Sequence, residues 1–190
     1  MNVLILCDRD STGTAGFELR EQVEKTAKET GSIVQTVVLN SDEIKPCLGC
    51  FGCWVKTPGL CVITNDCAND VSRELMRADA VVILSKLTYG GFSPDVKAAL
   101  DRCIPNISPF FEIYHGEMHH KMRYESFPYW ITIGYGDSTR DERELFRELT
   151  DRNALNMRPP KHFCITMPNA DECSDALQVL GQILSEGVRT

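Results

Sequence analysis

The sequence has no long hydrophobic run. Nothing in its 190 residues approaches the roughly 18–20 consecutive apolar residues that a membrane-spanning helix needs. It has no excess of positive charge: 20 lysines and arginines face 27 aspartates and glutamates, giving a formal net charge of −7. That argues against broad binding to nucleic acid or to anionic membranes, where phosphate contacts need clustered cations. The apolar stretch 3–7 is too short for a secretory leader and runs straight into Asp8-Arg9-Asp10, so a cytoplasmic location is expected. No internal repeat, low-complexity tract or linker divides the chain. A content of 43% hydrophobic and 25% charged residues is that of one globular domain over 1–190. What the sequence does have in unusual number is cysteine, nine in all. A cytosolic chain cannot rely on disulfides, so a cysteine cluster there points to metal binding or catalysis.

Apolar, β-favouring runs at 3–7, 33–39, 80–84, 129–135 and 162–166 alternate with helical periodicity. Leu19, Val23 and Ala27 share one face of a helix that Gly31 stops. A helix over 67–77 starts behind the capping-type residues Asn65 and Asp66. Ser93-Pro94 reads as N-cap and first helical residue, with Val96, Ala99, Leu100 and Cys103 on one face. Further helices are predicted over 139–150 and from about Asp171, the last burying Ala176, Leu177, Leu180, Ile183 and Leu184. Two segments interrupt this order: a cysteine loop (45–66) and an aromatic- and His-rich insert (105–128) without clear periodicity. The alternation predicts an α/β protein: a doubly wound, five-stranded parallel sheet of order 2-1-3-4-5 with helices on both faces.

In such a sheet a ligand sits beyond the carboxyl ends of the strands, at the point where the strand order reverses. Three turns line it. The first, 8–16, carries Ser11, Thr12 and Thr14 with two glycines at a helix start, a setting for phosphate or for an ordinary helix cap. It is neither the dinucleotide fingerprint nor the P-loop. The second contains Lys86, Leu87, Thr88, Tyr89 and Gly90, and the third Gly134, Tyr135 and Gly136. Aromatics between glycines at this position suit a flat ring lying against backbone.

Cys47, Cys50 and Cys53 form C-x2-C-x2-C, and Cys61 follows after seven residues. Three thiolates in a tight turn suit three corners of an iron–sulfur cubane, and a fourth at modest distance closes it. Zinc more often uses two separated C-x2-C pairs, and thiol redox chemistry needs only one C-x-x-C. A vestigial or merely structural set of thiols is the remaining alternative. Cys7, Cys103 and Cys164 read as core thiols, and Cys67 and Cys173 as spares.

The stretch Lys45-Pro46-Cys47-x-Gly49-Cys50-x-x-Cys53, followed by Gly59-x-Cys61-x-Ile63-x-x-Asp66, resembles the cysteine segment of flavodoxin-like iron–sulfur flavoproteins and their NADPH-dependent FMN reductase relatives. Thr88-Tyr89-Gly90-x-x-Ser93-x-x-x-Lys97-x-x-x-Asp101-Arg102 is similar to that family's flavin-ring loop, and 116–121 to a further segment of it. The first turn departs from the family's usual form and is closer in style to that of flavodoxins. The resemblance implies a flavodoxin-like fold, FMN and a [4Fe–4S] cluster. It also implies NAD(P)H or a reduced ferredoxin-like protein as electron donor, and homodimers or homotetramers. On that reading the phosphate of FMN meets Ser11, Thr12 and Thr14, and its ring meets 87–90 and 134–136. Lys86 then lies near the pyrimidine end, and Cys47, Cys50, Cys53 and Cys61 hold the cluster.

A non-catalytic electron carrier is the second reading, since an acidic chain suits docking on basic partners. A signalling receiver domain would need an aspartate at the end of the third strand, where this chain has Leu84-Ser85-Lys86. His115, His119 and His120 suit a surface or subunit-contact role better than a metal site. Phe110, Phe111, Tyr114 and Tyr124 are expected to pack on another protomer or to lid the flavin.

Overall fold

The computed structural model describes residues 1–12, 14–167 and 173–187. The chain runs through β1 (Asn2–Asp8), a short 3-10 turn, α1 (Thr14–Glu29), β2 (Ile33–Leu39), α2 (Gly52–Val55), α3 (Ala68–Arg77) and β3 (Ala80–Lys86). It continues with α4 (Pro94–Asp101), β4 (Ile107–Tyr114), β5 (Glu117–Met122), β6 (Tyr129–Tyr135), α5 (Arg140–Met157), β7 (His162–Met167) and α6 (Cys173–Gly187). The main sheet is parallel with order β2-β1-β3-β6-β7. With the β4–β5 pair set aside, this is the expected 2-1-3-4-5 order and the flavodoxin-like fold.

The two faces of the sheet follow from the side-chain alternation of a strand. Val3, Ile5 and Cys7 of β1, with Ala80, Val82 and Leu84 of β3, point to Leu19, Val23 and Ala27 of α1 and to Ala176, Leu180, Ile183 and Leu184 of α6. Leu4 and Leu6, with Val81 and Ile83, point the other way, to Val71 and Leu75 of α3, Val96 and Ala99 of α4, and Phe146 of α5. Both faces are therefore apolar, which is why β1 and β3 read as unbroken hydrophobic runs. β2 lies at the edge, where exposed and half-buried positions follow one another and only Leu39 is buried.

Two local expectations change. The insert is not aperiodic: β4 and β5 form an antiparallel hairpin with a register shift between Ile107 and Phe111. Its two-residue turn, His115-Gly116, has φ of 49° and 79°, the pair of positive angles a tight hairpin turn demands. The helix expected over 139–150 continues to Met157. Thr139 and Glu142 form a reciprocal cap at its start, and its last turns hold the hairpin. Arg152 pairs with Glu117, while Arg158 pairs with Glu112 and stacks on Tyr114. The start of the last helix near Asp171 lies outside the described residues.

Candidate functional site

The carboxyl ends of β1, β3 and β6 meet around Asp8. Its buried carboxylate accepts hydrogen bonds from the Ser11 N–H (3.1 Å), the Lys86 N–H (2.6 Å) and the Tyr135 hydroxyl (2.6 Å). Ser11 is buried too, and its hydroxyl donates to the Asp8 carbonyl. It therefore builds the turn rather than facing a ligand. The side chains of Thr12 and Thr14 lie outside the described part of the structure. Lys86 Nζ pairs with Asp10 at 2.9 Å, a hydrogen bond that raises the lysine above its ordinary range. Burial and then the Asp8 contact push the Tyr135 phenol far up, so it stays protonated. Arg9 forks onto Asp95, which also accepts from the Ser41 N–H. Burial raises the Asp95 carboxyl, but these donors outweigh it and hold it below the usual carboxylate range.

A cavity of about 480 Å³ opens over these groups. Lys86, Leu87, Thr88 and Tyr89 line it from the turn after β3. Five carboxylates line it as well (Asp8, Asp10, Asp95, Asp137 and Glu142), against two cations, Arg9 and Lys86. Tyr89 is 91% exposed and left-handed, with φ of 50°. Gly90 follows at φ 75°, and Thr88 and Gly91 close the turn by exchanging backbone hydrogen bonds. Gly136 approaches Lys86 from the third turn. Gly134 does something else: a Cβ there would lie 2.6 Å from Phe146, so it is a packing glycine within β6. No hairpin residue lines this cavity, so the aromatics of the insert do not lid it in this chain.

The cysteine loop lies at the other end of α4. Gly49 and Phe51 take left-handed conformations, which turn the chain sharply between the cysteines. A Cβ on Gly52 would come within 2.5 Å of Val62, so only glycine lets the C-x2-C-x2-C turn press against the segment carrying Cys61. Cys47 and Cys50 are exposed, Cys61 is half-buried and Cys53 is buried. Burial raises the Cys53 thiol, and the neighbouring Cys61, Cys47 and Cys50 add to the rise. Among the described residues no three His, Cys, Asp or Glu groups converge closely enough to hold a single metal ion. A cubane is larger than an ion, so its ligands stand further apart.

The ends of this loop are tied to buried Arg102 and half-buried Asn69. Arg102, just past α4, pairs with Asp66 at 2.8 Å and also donates to the carbonyls of Lys45 and Ile63. Asn69 of α3 accepts from the Cys61 N–H and donates to the Cys61 and Ile63 carbonyls. The remaining cysteines are as expected in part. Cys7 and Cys103 are buried, Cys103 pushed up to about 12 chiefly by burial, whereas Cys164 is only half-buried. Cys67 is exposed and Cys173 half-buried.

Residues 1–122 match the family model described as NADPH-dependent FMN reductase. The chain belongs to that family. An iron–sulfur flavoprotein of Methanocaldococcus jannaschii is 30% identical to it over 93 residues, 49% of this chain and 46% of that protein. The chain thus spans about half the length of the curated relative it matches. A solved azoreductase from Bacillus anthracis superposes with a TM-score of 0.68 at 10% identity, over 98% of this chain and all of the other. An FMN-dependent NADH-azoreductase of the same species, in complex with FMN, gives a TM-score of 0.64 at 13% identity, over 98% of this chain and 99% of that one. These two structures establish the fold.

Several residues of this NADPH-dependent FMN reductase family member escape a reading of the sequence. Arg102 is read there only as the end of the flavin-ring motif, whereas its side chain turns to Asp66 and the cysteine loop. Asn69 reads as a helix-start residue, not as a holder of Cys61. The Asp8–Tyr135 bond joins distant positions that only the sheet brings together. The histidines are not gathered into one cluster. His119 bonds Glu117, whereas His120 bonds the Ser108 carbonyl and lies against Phe111 and Trp54.

Proposed function

We propose that the protein is an FMN-dependent oxidoreductase that takes electrons from NAD(P)H. It passes them to a [4Fe–4S] cluster on Cys47, Cys50, Cys53 and Cys61 or to a small acceptor. The family match over residues 1–122 carries this reading. The cavity over the strand ends supports it, because it is open beside the Tyr89–Gly90 turn where a flat ring can rest on backbone. FMN would place its ring against Lys86, Leu87, Thr88, Tyr89 and Gly90 on one side and Tyr135 and Gly136 on the other. Its phosphate would meet the start of α1, through Thr12, Thr14 and the backbone N–H groups there. The acidic lining does not forbid this, since Asp8 is held by three donors, Asp10 by Lys86, and Asp95 by Arg9 and Ser41.

The donor set of the loop fits the cluster by its chemistry: four free thiols in one loop, with the C-x2-C-x2-C turn pressed at Gly52 against the segment that carries Cys61. Flavins exchange one or two electrons and a cubane exchanges one, so the two groups together couple a two-electron donor to a one-electron chain. The chain's own work is to hold both. The eight-residue α4 runs from the cavity rim at Ser93 and Asp95 to Arg102 at the loop, about 12 Å at 1.5 Å per residue. A homodimer or homotetramer, and a cytoplasmic setting, belong to the same proposal.

Protein purified without oxygen should be yellow-brown and should bleach on adding NADPH or NADH. A chain that stays colourless after FMN, iron and sulfide are supplied would reject the proposal. The lack of a histidine or cysteine in the cavity favours one other reading, an electron carrier with no substrate of its own. Steady turnover of NAD(P)H with a quinone or free flavin separates the two, because a carrier shows little.

A further inference from the structure

Among the described residues Arg102 is the only lysine or arginine whose side chain is wholly buried. Desolvating a guanidinium is costly, so its partners must be numerous and well placed. All of the partners given by geometry belong to the cysteine loop. One terminal nitrogen donates to the Lys45 carbonyl (2.7 Å) and to Asp66 Oδ2 (2.8 Å), and the other to the Ile63 carbonyl (3.0 Å) and to Asp66 Oδ1 (3.2 Å). Lys45 stands two residues before Cys47, and Ile63 two residues after Cys61. The fork therefore closes the loop across all four thiols. Asn69 holds the Cys61 end a second time, through both Cys61 backbone groups and the Ile63 carbonyl.

We propose that Arg102 and Asn69 are positioning residues for a metal centre on the cysteine loop. Arg102 joins the two ends of the loop and holds a permanent positive charge, paired with Asp66, at their junction, close in sequence to the four thiolates the loop brings together. Asn69 fixes the backbone of the one cysteine that lies outside the C-x2-C-x2-C turn. This rests on the reading that the loop carries a metal centre.

The test uses the full chain, reconstituted anaerobically with iron and sulfide. The variants are Arg102→Gln, Arg102→Lys and Asn69→Ala, with the exposed Lys97→Ala on the same helix as control. Iron retention against a chelator, the reduction potential of the bound centre, and hydrogen exchange of the metal-free chain are measured. Groups that orient metal ligands typically contribute roughly 10- to 100-fold in affinity. Losses of that size are expected for Arg102→Gln and Asn69→Ala, with faster exchange over 45–66 and none in β1 or β3. The potential should fall in Arg102→Gln and stay near the parent value in Arg102→Lys, which keeps the charge but loses the fork. Parent-like iron retention and potential in Arg102→Gln would overturn the proposal. If that variant does not fold, unchanged retention in Asn69→Ala overturns it instead. A parent chain that takes up no iron refutes the underlying reading of the loop, an outcome distinct from variants that load as well as the parent.

Discussion

Tyr135 and Asp8, 127 positions apart, share a 2.6 Å hydrogen bond that joins the carboxyl ends of β6 and β1 over the end of β3. The same carboxylate takes the backbone N–H of Lys86 from β3. One buried acid thus ties together the three strand ends that frame the cavity. Removing the phenol hydroxyl leaves this acid short of a donor, which costs about 1–3 kcal/mol for a buried polar group. Tyr135→Phe should lower the unfolding free energy by that amount in denaturant titration. An unchanged midpoint would mean that the bond does no structural work.

Asp95 sets a pH limit on the same rim. Its folded-state carboxyl lies below the ordinary value of 3.8 because Arg9 and the Ser41 and Arg9 N–H groups favour its charged form over the opposing effect of burial. A depressed folded value means stability that is complete above the unfolded value and is lost as pH falls through the folded one. The protein should therefore lose stability progressively below about pH 4. Asp95→Asn should be less stable at pH 7 and should show a shallower acid limb when melting is followed from pH 6 to pH 3. Parallel curves for the two proteins would contradict the assignment.

The nine cysteines should divide by substitution. Serine at Cys47, Cys50, Cys53 or Cys61 should abolish most iron uptake on anaerobic reconstitution. Serine at Cys7 or Cys103 should leave iron per chain unchanged while lowering stability, because both thiols are buried in the core. Equal iron contents across both groups would remove the loop as the metal site.

The hairpin presents Phe110, Phe111, Ile113 and Met118, each more than half exposed. Phe51, Trp54, His120 and Phe111 form a continuous ladder of rings from the cysteine loop to β4. We propose that this apolar surface meets a second copy of the chain. Light scattering should find an oligomer, and Phe111→Asp should shift it toward monomer without loss of secondary structure. A parent chain that is monomeric at micromolar concentration would exclude this contact between copies.

The main sheet is legible in the sequence because parallel strands buried on both faces must be continuously apolar, as at 80–84. Ser93-Pro94 was legible because a cap is a local matter, and Ser93 does accept from the Val96 N–H. The hairpin is not legible in the sequence, since the register shift between Ile107 and Phe111 breaks the period. Helix α5 runs beyond its expected end because its last turns face the hairpin, held through Arg152 and Arg158, and not the sheet.

The sequence by itself determined the strand order and picked out the strand-end turns and the cysteine loop, the two places proposed to carry chemistry. Hydrophobic period, glycine at turns and cysteine spacing are local, and each constrains the backbone within a few residues. Tertiary structure alone decided which side chains serve those places. It turned Ser11 inward, set Gly134 against Phe146, and brought Tyr135 to Asp8 and Arg102 to Asp66. Such pairs depend on where distant elements stop against one another in a close-packed interior, and no local period encodes that distance.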